Sequence, residues 1–65
     1  MNLQVNGEWR EVHSGDLAAA LAELGFADAV LATALNGQFV PVPERAAASL
    51  TDGDRLEILA PMQGG

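Results

Sequence analysis

The residues with the most chemical potential stand at the end, in Ala60-Pro61-Met62-Gln63-Gly64-Gly65. Glycine has no Cβ, so Gly64-Gly65 is thin enough to thread a narrow channel in another protein, and the Gly65 carboxylate is sterically bare. Chain ends are ordinarily loose. A glycine pair placed soon after an apolar, strand-like run, Leu56-Glu57-Ile58-Leu59-Ala60, points instead to a working tail. Pro61 closes that run because it cannot continue a ladder of N–H donors. The tail expected to thread a partner is Met62-Gln63-Gly64, with Gly65 as the reacting residue.

Little else in the chain has reactive character. Cysteine is absent, which excludes disulfide staples, thiolate zinc sites and thiol nucleophiles. His13 is the single histidine, near a strand end, with no second histidine or nucleophile–base pair to complete a site, and reads as a solvated turn residue. The scattered carboxylates show neither triad nor metal-ligand spacing. An enzyme acting alone is therefore disfavoured.

Charge narrows the partners. Nine acidic residues face three arginines with no lysine, for a formal net charge of −6 across 65 residues. Such a surface repels nucleic acid and anionic membrane and suits a partner with a basic docking face. Without lysine, the chain cannot be joined to a copy of itself through a lysine isopeptide bond. There is no signal-like start and no apolar run of bilayer-spanning length, so a cytoplasmic location is expected. A chain of this size buries only about 60% of the surface its unfolded form exposes. With 49% hydrophobic residues, one small folded domain over 1–65 with a flexible tail over 61–65 is expected.

The elements that must position the tail follow from periodicity. Met1 to Val5 alternates as a half-buried strand. Asn6-Gly7 then signals a type I′ hairpin turn, and Glu8 to Val12 returns. A two-residue turn sets Val5 opposite Glu8 and Leu3 opposite Arg10, puts Val12 on the core side near Met1, and leaves Trp9 on the other face beside Gln4. A three-residue turn reverses that facing. Asp16 is the expected N-cap of a helix whose stripe is Leu17, Ala20, Leu21 and Leu24. Gly25 takes the C′ position, and Phe26 packs back on the last turn. A third strand is expected over 30–35, then the Asn36-Gly37 turn and a short return strand, Gln38-Phe39-Val40. Both alternating sets of 30–35 are apolar; Leu31, Thr33 and Leu35 inward is the favoured facing, with Ala32 and Ala34 as a flat outer face. Residues 43–49 suit a short helix or 3₁₀ turn with Pro43 at N1. A tight turn at 51–54 leads to the last strand, with Leu56 and Ile58 inward and Leu59 outward. Leu59, Ala34 and Ala32, with Met62, form a candidate apolar docking patch ringed by acidic residues.

A helix crossing one face of a mixed sheet would enclose Leu3, Val5, Val12, Leu17, Leu21, Leu24, Leu35, Leu56 and Ile58. That is an α+β architecture, the ββαββ order of the β-grasp, or ubiquitin-like, fold. At this point the chain resembles the small sulfur carriers of thiamine biosynthesis, the ThiS family. The resemblance is carried by the opening Asn6-Gly7 hairpin, the helix ending Leu24-Gly25, and Ala34-Leu35-Asn36-Gly37 followed by Val40-Pro41. Asp52-Gly53-Asp54-Arg55-Leu56-Glu57-Ile58 and the terminal Gly64-Gly65 complete it. Many relatives carry arginine directly after the proline matching Pro41, where this chain has Val42, and Pro61-Met62-Gln63 is not the usual approach to the glycines.

The resemblance implies a carrier, not a catalyst. An adenylating enzyme, related to ubiquitin-activating enzymes, would use ATP and magnesium to turn the Gly65 carboxylate into an acyl-adenylate. Sulfur from a persulfide donor would then displace AMP to leave a thiocarboxylate, and thiazole synthase would accept the sulfur. The chain itself would bind no cofactor. It has no GxxxxGK[ST] phosphate cradle, so catalysis falls to the partner. With no cysteine, only the carboxyl end can hold covalent, transferable sulfur. The rival readings are the small subunit of molybdopterin synthase, with the same tail chemistry and another acceptor, a β-grasp binding module, and a ubiquitin-like protein modifier.

Overall fold

The computed structural model describes residues 1–27 and 29–60. Two Asn-Gly turns set its hairpins. Asn6 and Asn36 both take φ of 50°, and Gly7 and Gly37 take 86° and 85°. These are the two consecutive positive φ values a type I′ turn requires, and only Gly, and Asn at small cost, adopt them readily. The first turn joins β1 (Asn2–Val5) to β2 (Glu8–Glu11), and the second joins β3 (Ala32–Leu35) to β4 (Gln38–Val40). Leu3 pairs with Arg10, Gln4 with Trp9 and Val5 with Glu8. This is the two-residue register, with Trp9 exposed on the outer face. Val12 and Met1 exchange backbone hydrogen bonds of 2.8 Å in each direction, which seats Val12 in the core.

The remaining strand, β5 (Arg55–Leu59), lies at the centre of a five-stranded sheet of order β2-β1-β5-β3-β4. It runs parallel to β1 and antiparallel to β3. The helix α1 (Leu17–Glu23) begins at Asp16, whose carboxylate accepts from the Ala19 N–H at 2.8 Å. It ends in a Schellman closure: Gly25 N–H donates to the Ala22 carbonyl and Phe26 N–H to that of Leu21. The helix buries Leu17, Ala20 and Leu21 in the same core as Leu3, Val5, Val12, Leu56 and Ile58. The architecture is the expected mixed sheet with one main helix.

Several expectations shift. The third strand starts at Ala32, not Val30, because β5 ends at Leu59, opposite Ala32. The Leu31 carbonyl accepts from Arg45 Nη2 instead. The last strand is displaced by one residue, gaining Arg55 and losing Ala60. A 3₁₀ helix spans Val42–Ala47, so Pro43 stands at its second position and not its first. Leu24 and Leu35 are half-buried, since one closes the helix and the other borders the Asn36-Gly37 turn. Leu50 belongs to the core instead. Its N–H donates to the Gly15 carbonyl while Leu17 N–H donates to that of Ala48, which draws the segment after the 3₁₀ helix in beside the start of α1.

Candidate functional site

Strand β5 delivers the chain to the tail, and two side chains hold it. Asn6 reaches past the end of the β1–β5 pairing to bond both backbone groups of Ile58, accepting from its N–H at 2.8 Å and donating to its carbonyl at 3.1 Å. The amide thus replaces the next residue of a strand. Asn36 anchors the strand's start in another way, its amide accepting from the Arg55 N–H at 2.9 Å and donating to the Asp54 carboxylate, Oδ1, at 3.0 Å. Its own N–H donates to the Arg55 carbonyl. The Asn-Gly pairs were legible as turns. Their second task, pinning β5 near both ends, depends on the parallel β1–β5 pairing that brings Asn6 to Ile58, 52 residues on, and the antiparallel β3–β5 pairing that brings Asn36 to Arg55, 19 residues on.

The outer face of the sheet carries the candidate docking residues. Leu59 is 68% exposed and stands opposite Ala32, also exposed. With Val30, Leu31 and Ala60 they line a shallow, almost wholly apolar depression of about 350 Å³. Half-buried Ala34 lies between Glu57 on β5 and Phe39 on β4. Phe39, also 68% exposed, extends the patch to the sheet edge and was not among the expected docking residues. The signal was present: the two-residue register that places Leu3 opposite Arg10 also places Ala34 opposite Phe39. Glu57 brings an acidic side chain onto the same row. Met62, Gln63, Gly64 and Gly65 lie outside the described residues.

The other side chains form supporting contacts. His13 is exposed, and its N–H donates to both Glu23 carboxylate oxygens at 2.9 Å. Ser14 donates to Glu23 Oε1 from its hydroxyl at 2.7 Å and its N–H at 3.1 Å. The Ser14 hydroxyl bond, then the His13 N–H bond, lower the Glu23 pKa from the usual value of 4.5. No group of three or more metal-ligating side chains gathers among the described residues. No helix among them is long and apolar enough to cross a membrane.

The ThiS family model matches residues 3–65, nearly the whole sequence. The chain belongs to the ThiS family. This family comprises small sulfur carriers of thiamine biosynthesis, not catalysts. A crystal structure of the thiamine biosynthesis protein ThiS from Geobacter metallireducens superposes with a TM-score of 0.83 at 33% identity, covering 100% of both chains. A solution structure of a thiamine biosynthesis protein from the same organism gives 0.79 at 32% identity, covering 100% of this chain and 88% of that one. A thiazole synthase of Paramagnetospirillum magneticum is 38% identical over 66 residues, which take in 100% of this chain and 20% of the relative. The chain thus spans a fifth of that relative's length.

Proposed function

We propose that this ThiS-family carrier is loaded with sulfur on the Gly65 carboxyl group and delivers it for thiazole formation, in the cytoplasm. The carboxylate attacks the α-phosphorus of ATP on an adenylating partner that also supplies magnesium. Pyrophosphate leaves, and the acyl-adenylate gains a good leaving group. A persulfide sulfur then attacks the acyl carbon and expels AMP. A second thiol cleaves the resulting S–S bond, which leaves a thiocarboxylate on Gly65 and a disulfide on the donor side. Thiazole synthase takes up the sulfur.

The observation that carries the reading is the family match running through Gly65. The geometry supports it. A central strand, held on both sides and pinned by Asn6, ends at Leu59 beside an apolar depression, so the residues that follow leave from a rigid base. Leu59, Ala32, Ala34 and Phe39 dock the adenylating enzyme while Met62, Gln63 and Gly64 thread its channel. That a ThiS-like segment forms part of a protein named thiazole synthase supports the choice of acceptor.

The test is intact mass spectrometry of the protein from thiamine-making cells. A fraction heavier by one oxygen-to-sulfur exchange, localised to Gly65 by fragmentation, is expected. A variant extended by one residue beyond Gly65 should show none. Unmodified carboxylate alone, with the adenylating enzyme and donor present, overturns the reading. Branched peptides ending in Gly64-Gly65 would make the chain a protein modifier instead.

A further inference from the structure

Arg45 is the one charged residue buried among the described residues, 9% exposed in a molecule of net charge −6. It sits on the 3₁₀ helix, on the helix side of the sheet. Its Nε donates to Thr33 Oγ1 at 3.1 Å and its Nη2 to the Leu31 carbonyl at 2.7 Å. Thr33 can accept because its own hydroxyl proton goes to the Val40 carbonyl at 2.8 Å. Both acceptors are neutral, so neither bond compensates the charge.

A guanidinium fork carries more N–H donors than these two bonds use. No buried side-chain nitrogen or oxygen among the described residues lacks a partner, so Nη1, which makes neither bond, is not sealed in. The opening is a pocket of about 220 Å³ with Arg45 in its wall, otherwise lined by apolar side chains that include Ala18, Leu21, Ala22, Phe26 and Val42. Removing a cation from water is costly, and an anion with good hydrogen-bond geometry offsets that cost.

We propose that this pocket is a recognition socket for a single carboxylate carried on a short apolar stem. The guanidinium fork matches the planar carboxylate, and the apolar lining takes the stem. A phosphate dianion fits less well, because Arg45 is the only cationic residue lining the pocket among the described residues and the net charge opposes multivalent anions. The carboxylate source is either a free acid or the side chain of a protein partner. The socket lies across the sheet from Leu59 and Ala32, so it leaves the docking face open. The inference does not depend on the sulfur-carrier reading, and its test involves neither the tail nor adenylation.

The test follows the Arg45 Nε–H and the Ala18 and Ala22 methyl signals by NMR while the full chain is titrated with isobutyrate or with N-acetylglutamic acid amide. Chloride at matched ionic strength is the control. Saturable shifts with dissociation constants on the order of millimolar are expected. Ala22 is exposed on α1, so Ala22→Glu sets a competing carboxylate at the rim without disturbing the core. It should weaken both probes about tenfold or more, and Ala22→Gln should leave them within about twofold. Tighter binding of the glutamic acid amide assigns the socket to a protein side chain, and tighter binding of isobutyrate to a free acid. A response no greater than that to chloride, or equal binding by Ala22→Glu, overturns the proposal. So does binding that appears only in Asp28→Asn, because the chain's own carboxylate would then be the occupant.

Discussion

At the scale of single residues, the two Asn-Gly turns look equivalent in sequence and are not equivalent in energy. Asn6 bonds the Ile58 backbone near the end of β5 in partly buried surroundings, whereas the bonds of Asn36 are exposed at the strand's start. Water replaces a lost exposed bond more cheaply than a buried one. Glycine tolerates the φ of 50° at both positions, so Asn→Gly removes the side-chain bonds without adding backbone strain. Asn6→Gly should cost about 2 kcal/mol and Asn36→Gly about 1 kcal/mol or less in urea unfolding. Equal losses would show that the Ile58 clamp adds nothing beyond the turn itself. The same pair of variants tests the proposed loading of the tail: loosening Ile58 should slow adenylation by the proposed partner more in Asn6→Gly than in Asn36→Gly.

At the scale of elements, the link from β2 into α1 is held by Glu23, which reaches back from the last turn of the helix to the His13 and Ser14 N–H groups and the Ser14 hydroxyl. The folded-state pKa of Glu23 lies below its unfolded value. Its stabilising contribution is therefore complete above the unfolded value of about 4.5 and is lost as pH falls through the lower, folded one. Because this carboxylate is fully exposed to solvent screening, the effect should be local and weakened by salt. The His13 and Ser14 amide shifts should titrate together with a midpoint below 4.5. Glu23→Gln should abolish that titration and speed amide exchange at both positions, leaving the sheet unchanged. A midpoint at or above the ordinary glutamate value would mean that the contact does not hold the loop.

At the scale of the whole molecule, β5 serves both faces. Leu56 is fully buried and Leu59 is 68% exposed, three residues along one strand. Leu56→Ala should cost about 2–5 kcal/mol. A 65-residue domain holds only about 3–10 kcal/mol in all, so this variant should be partly or wholly unfolded by circular dichroism. Leu59→Asp should keep a native spectrum, losing about 1 kcal/mol or less, while binding of the proposed adenylating partner weakens. If Leu59→Asp unfolds, the outer face of β5 contributes to stability and not to docking. Much of this was settled by local rules: the turns by Asn-Gly, the first hairpin's register by loop length, the helix and its caps by Asp16 and Gly25, and the facing of β5 by alternation. These interactions reach only a few residues, so a linear pattern records them. The tertiary structure alone decided the pinning of β5 by Asn6 and Asn36, the recruitment of Leu50 to the core, the late start of β3, and the burial of Arg45 against Thr33 and the Leu31 carbonyl. Each joins segments distant in sequence, through the pairing of β5 with β1 or β3, backbone bonds to the start of α1, or a side chain crossing between layers. An arginine in an alanine-rich stretch reads as surface until the fold closes over it.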